Sequence, residues 1–171
     1  MPLKAVGQRR VDQIVAALRN AGSARGKLPE QLETRSPSRR SEDLEIVHRL
    51  LEDLEQDLSS SAETLRSHYG TMPILKTAQQ LLAAPELEQQ SRYQFIDSLG
   101  EIFECIRELE DELTACTDTL VRHSYKLQHL DLAMQMLTEV SAEALNSDDD
   151  TSKTPRLHNL RTACEHALTL Q

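Results

Sequence analysis

Glu45-Ile-Val-His48 has the glutamate–histidine spacing that di-iron helical bundles use for metal ligation. Such sites need a second pair of the same kind and two further inward glutamates. The chain has no second pair, and His48 falls beside the apolar seam of its helix. Cys116 and His123 share one helical stripe further on, but they are seven residues apart. That spacing is about 10.5 Å along a helix, too far for one zinc ion with bonds of about 2.0–2.3 Å. Cys116 therefore reads as a small seam residue, and His123 as a polar layer that sets register or faces water.

A carboxylate block, Glu101, Glu104, Glu108, Glu110, Asp111, Glu112 and Asp118, is offset only by Arg107 between residues 101 and 118. Paired carboxylates can do acid–base chemistry in a cleft, whereas helical neighbours in water stay ionised, and this block reads as a solvated face. No glycine-rich phosphate loop, nucleophile elbow or zinc-protease motif occurs. Asp148-Asp149-Asp150 lacks the glycine and closing glutamate of a calcium loop. The expectation is a protein that is not an enzyme and that needs no cofactor or metal.

The elements that would position these residues are helices. Only two Phe, three Tyr and no Trp occur among 171 residues, a profile of bundles and coiled coils. Leu44, Val47, Leu51, Leu54, Leu58 and Leu65 form a zipper seam that ends at Gly70 and Pro73. Its start is read at Ser41, an N-cap followed by Glu42 and Asp43. A short segment, 74–84, precedes Pro85. From Glu86 to about Leu145, steps of three and four link Leu99, Ile102, Ile106, Leu109, Leu113, Cys116, Leu120, His123, Leu127, Leu130, Met134 and Leu137, then Ser141 and Ala144. No proline interrupts the run, so the pattern predicts one helix of about 60 residues, about 90 Å long. A compact chain of this size has a radius of gyration of only about 15 Å. The rod should therefore project and offer its seam to another chain.

The fold expected is all-α: an elongated bundle or coiled coil with one long helix, behind a flexible basic arm. The divisions are 1–40 (arm, short amphipathic helix and linker), 41–145 (bundle), 146–153 (acidic loop) and 154–171 (a last helix opened by Thr154-Pro155, which must dock on something). Residues 1–40 carry nine Lys/Arg against three Asp/Glu, among them Arg9, Arg10, Arg39 and Arg40, while residues 41–171 carry ten against 25. The acidic body repels nucleic acid, and the arm lacks interleaved aromatics for stacking bases, so nucleic acid is disfavoured as a ligand. Ser36, Ser147 and Thr154 match short phosphorylation patterns in predicted loops.

Three cysteines at long spacings suit a reducing compartment, and no apolar run approaches the about 20 residues of a membrane span. The location expected is intracellular: cytoplasm, cytoskeleton or nucleus. The function expected is that of a scaffold subunit of a multiprotein complex, joined to other helical subunits through coiled-coil helices. A hetero-oligomer is favoured over a homodimer, because in-register copies would set two acidic blocks against each other. The alternative is a dimeric regulatory adaptor or DNA-associated factor using the arm.

Overall fold

A computed structural model describes residues 37–146 and 155–170, and among these every regular element is a helix. In chain order they are α1 (Pro37–Ser59), α2 (Ala62–Ser67), α3 (Met72–Leu82), α4 (Glu86–Gln89), α5 (Arg92–Ala115), α6 (Thr117–Leu145) and α7 (Pro155–Thr169). Arg9, Arg10 and the candidate phosphosites Ser36, Ser147 and Thr154 lie outside the described residues. Arg39 and Arg40 fall in the first turns of α1, which begins at Pro37, so Ser41 is inside the helix and does not cap it. No helix among the described residues is long and apolar enough to cross a membrane.

The single 60-residue helix is not formed. Its sequence makes α4, α5 and α6, and the longest of these has 29 residues. Gln90 is extended (φ −67°, ψ 148°) and ends α4. Ser91 then opens α5 with a capping box, its side chain and that of Gln94 serving each other's backbone. The second break is the decisive one. Cys116 is extended (φ −92°, ψ 107°) and is the only residue between α5 and α6. At that corner the chain turns back on itself, because Arg92 at the start of α5 donates to the Leu145 carbonyl at the end of α6. The local sequence favours a restart: Asp118 lies in the first turn of α6, where the helix dipole favours negative charge.

The hairpin completes a ring. α5 packs on α6, α6 on α1, α1 on α3, and α3 on α5. Directions follow from the cross-contacts. Asp53 and Asp57 of α1 meet Lys126 and His123 of α6 in reverse order. The end of α3 reaches the start of α1, where Leu82 and Leu44 line one cavity. Neighbours in the ring are therefore antiparallel, the up–down order of a four-helix bundle.

Such a bundle buries a three–four stripe on each helix as a coiled coil does, which is why the seam looked like one rod. Leu99, Ile102, Ile106, Leu109, Leu113, Leu130 and Leu137 are all buried within this chain, as are Leu44, Val47, Leu51, Leu54 and Leu58. Leu127 is buried too, and Met134 and Leu65 are half-buried. The seam is thus covered by the chain's own helices and is not a free edge awaiting a foreign one. Leu50 and Ile46 widen the buried stripe of α1, which touches α3 and α6 and also α7. The last helix starts at Pro155, as expected of a proline at the first helical position, and docks on α6 and α1.

The fold-back makes a direct distance test available. In a background with the three cysteines changed to serine, spin labels at Tyr93→Cys and Asn146→Cys should report neighbouring helices, with axes roughly 10 Å apart. A continuous helix would hold the two positions about 80 Å apart, and a pulsed electron–electron distance near that value would refute the hairpin.

Candidate functional site

The corner end of the bundle gathers a cluster of hydrogen-bonded polar side chains. α1 ends at Ser59, and Ser61 caps α2, its Oγ accepting from the Thr64 amide at 3.3 Å. This short helix brings Thr64 and, one turn on, His68 against the start of α6. Helical dihedrals lapse at His123 (φ −117°, ψ 15°), where the imidazole meets two other elements. Its Nδ1 is 2.6 Å from the Asp57 carboxylate and its Nε2 is 2.9 Å from the Thr64 hydroxyl. A carboxylate only accepts, so Nδ1–H donates to Asp57, and Nε2 is hydrogen-bonded to the Thr64 hydroxyl. One turn earlier in α6, His68 Nε2 is 2.7 Å from the Thr119 hydroxyl. Around the rim, Arg122 pairs with Glu63 of α2 and Asp118 of its own helix.

Asp57, His123 and Thr64 are linked in the acid–base–hydroxyl order of a hydrolase triad. Order alone does not make a nucleophile. Thr64, His123, His68 and Thr119 are all buried. The cavity of about 180 Å³ lined by Leu44, Glu45, His48, Leu82 and Leu87 lies toward the other end of α1. It falls below the roughly 300 Å³ at which ligand pockets begin. What the buried geometry does is brace: α1 to α6 through Asp57–His123, and α2 to α6 through Thr64–His123 and His68–Thr119.

Cys116 is not a seam residue packed against a partner but the half-buried corner itself. Its thiol is held below the usual cysteine range. The main cause is the Thr119 hydroxyl, followed by the amides of Thr119 and Asp118, whose partial positive charges favour a thiolate. No side-chain hydrogen bond of normal geometry caps α6, so the effect is one of nearby dipoles. The other two cysteines move the opposite way. Burial raises Cys105, helped by Glu108, Glu101 and Glu104, and burial pushes Cys164 up to about 11.

The remaining predicted residues are spread over the fold. Glu45 and His48 border the small cavity, with His48 3.6 Å from Glu52 on its own helix. Among the described residues no group of three or more His, Cys, Asp or Glu could hold a metal ion. The carboxylates of α5 at 101, 104, 108, 111 and 112 are exposed, with Arg107 tied to Glu104 at 2.6 Å. Glu110 is half-buried, and desolvation and then the facing Asp131 raise its pKa. Of the twelve residues expected at an interface, Leu120 is the one that stays exposed. Asp57, Thr64 and Thr119 were not singled out by sequence, although a Ser-x-x-Thr cap and the polar breaks at Ser61, His68 and His123 mark the place. Comparison with family models, with curated proteins and with solved structures finds no match.

Thr119 connects the brace to the corner, and removing its hydroxyl at constant shape separates the two roles. Thr119→Val should leave His68 Nε2 without its partner and lower stability by about 1–3 kcal/mol in urea unfolding. It should also return the Cys116 thiol toward its ordinary range. In a Cys105→Ser background, alkylation at neutral pH then slows. Unaltered stability and alkylation would show that this hydroxyl does neither.

Proposed function

We propose that the chain is a non-enzymatic subunit of a multiprotein complex, and that its contact surface is the outer face of the first turns of α6 rather than the heptad seam. One observation carries the reading. Val121 is 73% exposed, Tyr125 42% and Leu120 40%, and Val121 and Tyr125 are four residues apart along one stretch of helix. Every larger stripe of apolar residues in the bundle is covered by a neighbouring helix; this one is not covered by any of the described helices. Exposed apolar groups gathered in one place suit a protein contact, whereas single ones need no explanation.

The partner that suits this face is another helical protein. A second copy would bring the exposed carboxylates of α5 toward their like, so a heterologous partner with Lys or Arg beside its apolar residues fits better. The burial of His123 and Thr64 supports a bracing role over a catalytic one. Cys105, Cys116 and Cys164 are all free thiols, which suits a reducing, intracellular setting.

The experiment is affinity capture of the tagged chain from cell extract at moderate and high salt, with Val121→Asp and Tyr125→Asp combined. Both positions are exposed, so the variant should keep its helicity and thermal transition while stoichiometric protein partners are lost. Partners retained in full would sink the assignment of this face. Salt-sensitive nucleic acid in place of protein would count against the complex-subunit reading.

A further inference from the structure

His129 stands apart from the histidines at the corner. It is 1% exposed, and neither ring nitrogen has a hydrogen-bond partner among the described residues. It projects from α6 where α1 and α7 meet that helix. Nδ1 is 3.2 Å from Asp53 Oδ2 of α1, but not in hydrogen-bond alignment. The same carboxylate oxygen already takes the Lys126 ammonium at 2.6 Å. The backbone carbonyls of Leu50 in α1 and Ala167 in α7 are also turned toward the ring. The charged side chains of α7 nearest to Ala167, Glu165 and His166, are exposed to solvent.

A proton on this ring would place two cations, His129 and Lys126, beside one carboxylate in a buried site. Burial is the largest influence and holds the imidazolium below its ordinary range. Lys126 adds to this, while Asp53 and the two carbonyls oppose it. The cheapest relief is local. The ring α1–α3–α5–α6 closes without α7, which lies outside it. α7 is held by buried Leu157 and Cys164, by the Asp43–Arg161 pair, and by Arg156 with Glu139 at 3.6 Å. Separating one outer helix breaks fewer contacts than opening the ring.

We propose that His129 is an acid-sensitive latch for α7: its protonation releases α7 from the α1–α6 groove and leaves the four-helix ring intact. The face uncovered on α6 is apolar, because Ala133, Met136 and Val140 follow His129 at helical spacing and are buried while α7 is docked. The sign follows from linkage. Above the ordinary imidazole value of 6.5 the ring is neutral, docked or released, and the latch holds in full. As pH falls through that value the released form takes up the proton first, and docking weakens until the docked form also titrates.

Cys164 of α7 is fully buried while that helix is docked and reports its release. In the full chain carrying Cys105→Ser and Cys116→Ser it is the sole thiol. Its reaction with an aromatic disulfide that works in acid is measured against the urea-unfolded chain at each pH. Lowering pH from about 7.5 to about 5.5 should raise relative reactivity, by at most about tenfold per unit for a single proton, while far-UV helicity stays constant. His129→Leu should flatten the profile. A flat wild-type profile, a rise that persists in His129→Leu, or a rise that coincides with loss of helicity across the chain would each overturn the latch. Should His129→Leu not fold, an NMR titration of the wild-type ring decides: a value below 6.5 supports the proposal, and one at or above it overturns it.

Discussion

Everything in the helical unit depends on one extended residue, Cys116, at which a long apolar pattern reverses direction. Were Cys116 helical, the seam of α5 would continue away from the body, and nine or so buried leucines and isoleucines would need a foreign cover. Because it is extended, α5 and α6 lie side by side and α1 and α3 close the remaining two sides. Each fully buried aliphatic side chain contributes about 1.5–3 kcal/mol relative to exposure. That gain goes to the chain's own fold, and the bundle needs no second chain to cover its core.

Around the one-residue corner the elements are tied to one another by side chains. Asp57, Thr64, His68, Thr119 and His123 form cross-element hydrogen bonds at that end. Buried hydroxyl and imidazole groups would cost about 1–3 kcal/mol each if left unpaired, and pairing them fixes how α2 sits on α6. At the α7 junction the same chemistry is incomplete, since His129 has neither nitrogen satisfied. One end of α6 is thus fastened by satisfied polar groups, and the face toward α7 carries a buried imidazole whose burial favours the neutral ring.

Much of this was legible in the residues. The all-helical class, the burial of the three–four stripe, the proline that opens α7 and the docking of that helix all follow from spacing and composition. The hairpin was not, for a physical reason: periodicity reports that a face is covered, but not by whom. Leu109, Leu113, Leu127 and Leu130 keep a single phase through Cys116 because both arms of the hairpin present the same kind of stripe. Two finer signals were there to be read, the Ser91/Gln94 capping box and the Asp118 in a first turn, and both outweigh the absence of proline from the run. His129 was invisible because it sits off the heptad positions; only the arrival of α7 buries it.

The same geometry limits where a partner can bind. A helix in the ring has two ring neighbours, and on α1 and α6 a third side is taken by α7. Near the corner α6 runs on past the end of α7: Ala167 lies level with His129, and the two helices are antiparallel, so Leu170 comes level with Lys126. Beyond that point no helix among the described residues covers the side of α6 that carries Tyr125 and Val121, and Leu170 itself is exposed. The apolar surface left open is therefore a continuation of a groove already shaped for one helix. A second helix entering there would meet the last turn of α7, so such a contact and the docking of α7 would share one groove.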